Sequence, residues 1–237
     1  MKYKLYALIS KLLKRANIEL HFKDHNHYWT FFPFSKEFDQ TYRRYNVRSM
    51  GAASTPIYSQ HVDYQLLSYA LTLEGDVAEV GIYKGATTSL LASLVEKTAK
   101  QYHVFDTFEG LPDMTKEDTA SGYGEPSTKL MADNTLQSVK NHLKDYHCIQ
   151  YHKGLFPATA NGIKGPFCFV YLDMDIYQST KDGLQFFYPR MVKGGVIIVD
   201  DYASKRWVGV RTAVSEFAEQ HPVVVMQLLA HQAVIIK

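Results

Sequence analysis

Apolar residues fall into two rhythms along this chain. Short continuous runs at Asp76–Val80, Tyr102–Phe105, His147–Tyr151, Phe167–Leu172 and Val196–Val199 have the length and β-rich character of buried strands. Between them the apolar positions recur at helical spacing. Val62, Leu66, Tyr69 and Ala70 mark one helix within Ser59–Leu73, Thr87 to Thr98 a second, and Val210, Val214 and Phe217 a third within Trp207–Glu219. Two last runs, Val223–Leu229 and Gln232–Ile236, flank Ala230-His231 and predict an antiparallel hairpin at a sheet edge. Seven strands with helices between the first five predict a three-layer α/β domain over residues 59–237. Residues 1–58 read as an extension. Leu5, Leu8, Ile9, Leu12 and Leu13 predict a docking helix, and residues 21–58 lack a period and are rich in aromatics and histidines, which suits a substrate lid or an interface.

The strands end in charge. Phe167–Leu172 runs into Asp173 and Asp175, and Val196–Val199 into Asp200-Asp201. In an open α/β sheet ligands sit at the carboxyl edge of the strands. Carboxylates gathered there repel each other and resist desolvation. A hard divalent cation relieves both penalties, and an oxygen-only set favours Mg²⁺, Mn²⁺ or Ca²⁺ over zinc. One such aspartate is an ordinary turn or helix cap; two strand tips with a pair each point to a metal site.

A second cluster opens the domain. After Asp76–Val80 comes Gly81-Ile82-Tyr83-Lys84-Gly85-Ala86-Thr87, and strand, glycine turn and helix bring backbone and helix N-terminus against a ligand. The spacing from Glu79 through Gly81 to Gly85 is neither the dinucleotide fingerprint nor a phosphate loop. Asp106, at the end of the next strand, stands where an acid accepts hydrogen bonds from a ribose diol. Residues 112–133 are polar and read as a loop able to close over a ligand.

Composition narrows the classes. A charged fraction of 21% and a net charge of +2 describe an ordinary folded domain and give no support for a nucleic-acid partner. Basic residues do gather at the start: residues 1–15 hold Lys2, Lys4, Lys11, Lys14 and Arg15 and no acid, which leaves weak peripheral contact with an anionic membrane as an alternative use of the first helix. No apolar run reaches the length of a transmembrane span, and the basic start lacks the apolar core of a signal peptide. Cys148 and Cys168 read as buried free thiols, which suits a cytoplasmic location.

Four phrases in this order, AEVGIYKGATTS, FDTFEGLPD, YLDMDIYQST and FYPRMVKGGVIIVDDY, resemble class I S-adenosylmethionine-dependent methyltransferases, and more narrowly the macrocin O-methyltransferase family of metal-dependent sugar methylating enzymes. The resemblance runs from about Thr55 to the C-terminus. It implies a Rossmann-like, mostly parallel sheet of order 3-2-1-4-5-7-6 with the last strand antiparallel, often in a homo-oligomer. It gives Glu79, Gly81, Tyr83, Gly85 and Thr87 to the methionine half of S-adenosylmethionine, with Asp173 close by, and Asp106 to the ribose. Asp173, Asp200 and Asp201 would bind Mg²⁺, and Asp175 would act as general base. The implied acceptor is a small molecule or glycan with a hydroxyl, in particular a vicinal diol. Ala86 replaces the second glycine of the family's pair, and residues 1–55 match the antibiotic enzymes poorly.

Methyl transfer to an alcohol needs an acidified, oriented hydroxyl, work that a divalent cation and a carboxylate share. Methylation of a catechol or other phenol is the alternative; the related catechol enzymes carry a lysine after the first metal acid, where this chain has Met174-Asp175-Ile176. Two other classes are Mg²⁺-dependent phosphoryl transfer, for which no phosphate loop is present, and a noncatalytic cofactor-binding protein.

Overall fold

The structure is a computed structural model in which residues 34–44, 56–119, 130–228 and 231–237 are described. The chain divides into two compact units, residues 1–44 and 45–237. The predicted first helix and most of the aromatic stretch lie outside the described residues. In the first unit one helix is described, α1 (Lys36–Arg44). Ser35 caps it by accepting the Phe38 N–H at 3.1 Å, Arg43 donates to Asp39 one turn back, and Phe34, Phe38 and Tyr42 bring their rings together along one side.

The second unit carries α2 (Ile57–Ala70), β1 (Asp76–Val80), α3 (Ala86–Val95), β2 (Tyr102–Asp106), α4 (Lys116–Thr119), α5 (Leu136–His142) and β3 (Ile149–Lys153). It continues with β4 (Phe167–Leu172), α6 (Tyr177–Phe187), β5 (Met191–Val199), α7 (Val208–Gln220), β6 (Val225–Gln227) and β7 (Ala233–Ile236). The strands form one seven-stranded sheet of order β3-β2-β1-β4-β5-β7-β6. The first five are parallel, and β7 runs antiparallel to both neighbours. This is the Rossmann-like architecture and strand order expected from the resemblance.

Every residue of β4 is buried, as a central parallel strand covered on both faces requires. Phe105, Phe156, Phe167 and Phe187 pack edge-to-face and stacked on one face of the sheet. Cys148 and Cys168 are buried and free, as expected.

Several boundaries differ from the sequence reading. β3 starts two residues late because the Glu96 carboxylate takes the backbone N–H groups of His147 and Cys148 at 2.8 and 2.9 Å. β5 begins at Met191, so Lys193-Gly194-Gly195 lies inside a strand and not in a turn before it. There Gly194 donates to the Lys237 carbonyl and Lys237 to that of Gly195, while a Cβ on Gly195 would sit 2.9 Å from the Val192 oxygen. β6 is cut to three residues. Finally, the polar stretch after Pro112 contains the short helix α4, fixed by Asp118; residues 120–129 of that stretch lie outside the described residues.

Candidate active site

The carboxyl ends of β1, β2, β4 and β5 surround a cavity of about 390 Å³. Hydrogen bonding sets its two walls in register. Asp173 donates its N–H to the Val80 carbonyl at 2.9 Å, and Asp200 donates to the Leu172 carbonyl at 2.8 Å, so the acid tips continue the ladder of β1, β4 and β5. Gly81 sits where the walls meet. Its φ is +84°, and a Cβ there would lie 1.8 Å from the Asp173 carbonyl oxygen, so no other residue allows β1 and β4 to close this tightly.

The first wall is the turn from β1 into α3. Asp106 Oδ2 accepts the N–H groups of Ile82 and Tyr83, each at 2.9 Å, and Oδ1 accepts that of Phe108 at 2.6 Å. One carboxylate thus pins both the glycine turn and the loop after β2. Tyr83, at φ +46°, donates its hydroxyl to Asp133, which also takes the Lys84 ammonium at 2.6 Å. Thr87 lines the cavity from α3. Gly85, at φ +82°, starts α3 but points its Cβ direction at Leu143 and Val139, away from the cavity. Glu79 is buried beneath the turn, where it accepts the Tyr102 hydroxyl; burial pushes its carboxyl up to about 7.

The second wall is acidic. Asp173, Asp175 and Asp201 each place a carboxylate oxygen within 4.8 Å of the others. Burial, reinforced by the charges of neighbouring acids, holds Asp173 and Asp175 well above the ordinary carboxylate range; burial alone raises Asp201, against a hydrogen bond with Asp175 that lowers it. Asp200 stands beside this trio, with burial lifting it to about 7. Both its oxygens are engaged: Oδ2 accepts the Tyr171 hydroxyl at 3.0 Å and Oδ1 the Asp201 N–H at 3.0 Å. The resemblance grouped Asp173, Asp200 and Asp201 as ligands and set Asp175 apart. The geometry brings Asp175 into the converging set and turns Asp200 toward the core.

Backbone strain concentrates here. Six described non-glycine residues have positive φ, and all but Phe108 line this cavity: Tyr83, Met131, Asp175, Asp201 and His231. Such conformations persist only where the surroundings impose them, and they gather at functional sites. Sequence reasoning missed Met131, Leu155, Arg206, Trp207 and His231, which also line the cavity. Only Trp207 lies in a periodic pattern, at the start of the helix predicted from Trp207 to Glu219, and it follows Arg206 just after the second acid tip.

The model of the macrocin-O-methyltransferase family matches residues 65–230, which hold both walls of this cavity. The chain belongs to this family. It is 29% identical over 142 residues to an 8-demethyl-8-(2,3-dimethoxy-α-L-rhamnosyl)-tetracenomycin-C 4′-O-methyltransferase of Streptomyces olivaceus, covering 54% of this chain and 53% of that protein. It is 26% identical over 161 residues to the mycinamicin III 3″-O-methyltransferase of Micromonospora griseorubida, covering 62% and 61%. The chain thus spans between about half and three fifths of the length of these family relatives. Among solved structures, the O-methyltransferase NovP superposes with a TM-score of 0.62 at 20% identity over 76% of this chain and 80% of that one, a likeness of fold. No helix among the described residues is long and apolar enough to cross a membrane.

Proposed function

We propose that this chain transfers a methyl group from S-adenosylmethionine to a hydroxyl of a sugar or glycoconjugate, with the help of a divalent cation such as Mg²⁺. The observation that carries the reading is the single cavity joining the glycine turn of β1 to the acid tips of β4 and β5, in a chain of the macrocin-O-methyltransferase family. The tetracenomycin relative is named for a rhamnosyl-bearing acceptor, which favours a sugar here too.

The residues present fit both groups. The turn offers Glu79, Gly81, Tyr83 and Thr87 to the methionine half of the cofactor, Gly85 sets the start of α3, and Asp106, after accepting three backbone N–H groups, keeps about one acceptor site that a ribose hydroxyl would use. The trio of Asp173, Asp175 and Asp201 is oxygen-only, buried and mutually repulsive, a donor set suited to a hard cation. When bound, S-adenosylmethionine supplies an electrophilic methyl on a sulfonium, and a divalent cation supplies the charge that acidifies a hydroxyl and orients a vicinal diol.

The protein's own residues do the rest. Asp173 and Asp201 would hold the cation, with Asp200 behind them. Asp175, kept basic by burial and by Asp201, would take the acceptor proton as the new C–O bond forms and the sulfonium S–CH₃ bond breaks, leaving S-adenosylhomocysteine. Trp207, buried, and Leu155, exposed, line the same cavity and would offer the acceptor apolar surface.

Calorimetric titration of S-adenosylhomocysteine with and without Mg²⁺, then of Mg²⁺ alone, tests this reading. Micromolar cofactor binding and one cation per chain are expected, followed by turnover of a vicinal-diol sugar and not of a catechol. No cofactor binding in either condition would sink the reading. Asp175→Asn separates the two roles open to that acid: lost turnover with Mg²⁺ affinity kept makes it the base, and lost affinity makes it a ligand.

A further inference from the structure

Beneath the acid wall lies a polar chain that methyl transfer as described does not use. Asp63 of α2 and Gln232, just before β7, are both fully buried, as is Tyr171, the penultimate residue of β4. Gln232 Nε2 donates one hydrogen to Asp63 Oδ2 at 3.1 Å and the other to the Tyr171 hydroxyl oxygen at 2.9 Å. Tyr171 then donates to Asp200 Oδ2 at 3.0 Å, and Asp200 Oδ1 accepts the Asp201 N–H at 3.0 Å.

The donors in this chain run one way. A phenol hydroxyl has a single hydrogen, and an amide group has donors on one end only. Gln232 Nε2 donates to both Asp63 Oδ2 and the Tyr171 oxygen, so the phenol oxygen is already an acceptor on that side. The Tyr171 hydrogen therefore points at Asp200. Asp200 in turn anchors the N–H of Asp201, whose φ of +57° puts its carboxylate among the converging acids. A core built only for packing would place apolar groups here. Instead Gln60 Nε2 and Oε1, Asp63 Oδ1 and Gln232 Oε1 are buried with no hydrogen-bond partner among the described residues, and buried polar groups of this kind ask for a reason other than packing.

We propose that Asp63, Gln232 and Tyr171 form a positioning relay that fixes the direction of the Asp200 carboxylate and, through it, the placement of Asp201 in the active site. The inference rests on the proposed methyltransferase reading for its catalytic consequence. The relay itself is a matter of hydrogen-bond direction and can be tested without turnover.

Solution NMR of the full chain, without cofactor, reads the relay directly. The wild type is expected to show a slowly exchanging Tyr171 hydroxyl proton that disappears in Tyr171→Phe. That signal should shift in Asp63→Leu and in Gln232→Met, each of which breaks the relay at a different link. It should stay in place in Asp63→Asn, which retains an acceptor oxygen for Gln232. In turnover assays, Asp63→Leu and Tyr171→Phe should each lower kcat about 10-fold with the KM for S-adenosylmethionine unchanged, and Asp63→Asn should restore kcat. The double variant should lose no more than either single one.

No protected hydroxyl in the wild type would overturn the relay, as would an unmoved signal in both Asp63→Leu and Gln232→Met. If Asp63→Leu does not fold, Gln232→Met carries the same comparison. A protein that shows the expected hydroxyl shifts but methylates no sugar would overturn the proposed reaction and leave the relay standing.

Discussion

The two walls of the cavity are built from the same element, the end of a parallel strand, yet they are left in opposite electrostatic states. On the glycine-turn side, a single carboxylate, Asp106, satisfies three backbone N–H groups and is satisfied by them. On the other side, Asp173, Asp175 and Asp201 face one another, with Arg206 as the positive group that tempers Asp175 and Asp201. The first wall is internally paired, whereas the second gathers buried like charges, an arrangement that costs stability. On the proposed reading a cation would remove that cost, and the two walls would divide the work of holding the cofactor and acidifying the acceptor.

The sharpest way to break the contrast is to force the walls apart. In Gly81→Ala a methyl group would enter the space of the Asp173 carbonyl, at 1.8 Å, on a backbone of φ +84°. The expected result is a loss of about 4 kcal/mol in stability, from strain and overpacking together, and loss of cofactor binding and turnover. Urea denaturation and calorimetry with S-adenosylhomocysteine read both effects; a protein that keeps its stability and binds cofactor normally would mean that the close approach of β1 and β4 is not needed.

Next in size is a change confined to the acid wall. Asp173→Asn should cut turnover about 100-fold. Without metal, however, the variant should be more stable than the wild type at pH 8. A buried acid whose folded pKa is raised gives up stability as the pH climbs through that value, and the amide has no such loss. Adding Mg²⁺ should reverse the order of melting temperatures, because the wild type gains more from binding. The same order with and without the ion would remove the metal from this wall.

The matching change on the first wall is Asp106→Asn. The amide keeps one acceptor oxygen and turns a donor on the remaining N–H groups. It should cost about 2 kcal/mol and raise the KM for S-adenosylmethionine more than it lowers kcat. An equal effect on kcat alone would place Asp106 in the chemical step and dissolve the division between the walls.

How much of this was legible beforehand follows from the range of the forces involved. The strands of the sheet centre were readable because burial on both faces leaves continuous apolar runs, as in Phe167–Leu172, and the strand tips because carboxylates stand out at the end of such runs. Boundaries set by groups distant in sequence were not readable: nothing near His147 says that the Glu96 carboxylate will take its N–H, and nothing near Gly194 says that the Lys237 backbone will pair with it. The site divides in the same way. Asp173, Asp175, Asp200 and Asp201 were visible as a set, but which three converge depends on Tyr171 pulling Asp200 aside, and Tyr171 looks like one more core aromatic in sequence. Gln232 and Asp63, 169 positions apart, meet only through the sheet.

The smallest effect expected is also the one that checks whether the first wall is as self-contained as its hydrogen bonds suggest. Glu79 lies under the glycine turn, fully buried, with the Tyr102 hydroxyl as its hydrogen-bond donor, and burial lifts its carboxyl from an ordinary 4.5 to about 7. A raised folded pKa means that the folded protein holds the proton more tightly than the unfolded chain does. Its contribution to stability is therefore whole below about pH 4.5 and is lost as the pH rises through about 7. Glu79→Gln keeps an oxygen for Tyr102 and cannot ionise. Wild type and variant should melt together near pH 4.5 and separate above pH 7, with the variant ahead by about 1–2 kcal/mol. Burial lifts Asp200 to about 7 as well, so the comparison must be repeated with Mg²⁺ present, which on the proposed reading occupies the acid wall and leaves Glu79 alone. If the gap between variant and wild type then closes, the shift belongs to the acids across the cavity and not to burial under the turn; if it stays, the two walls titrate as separately as they are built.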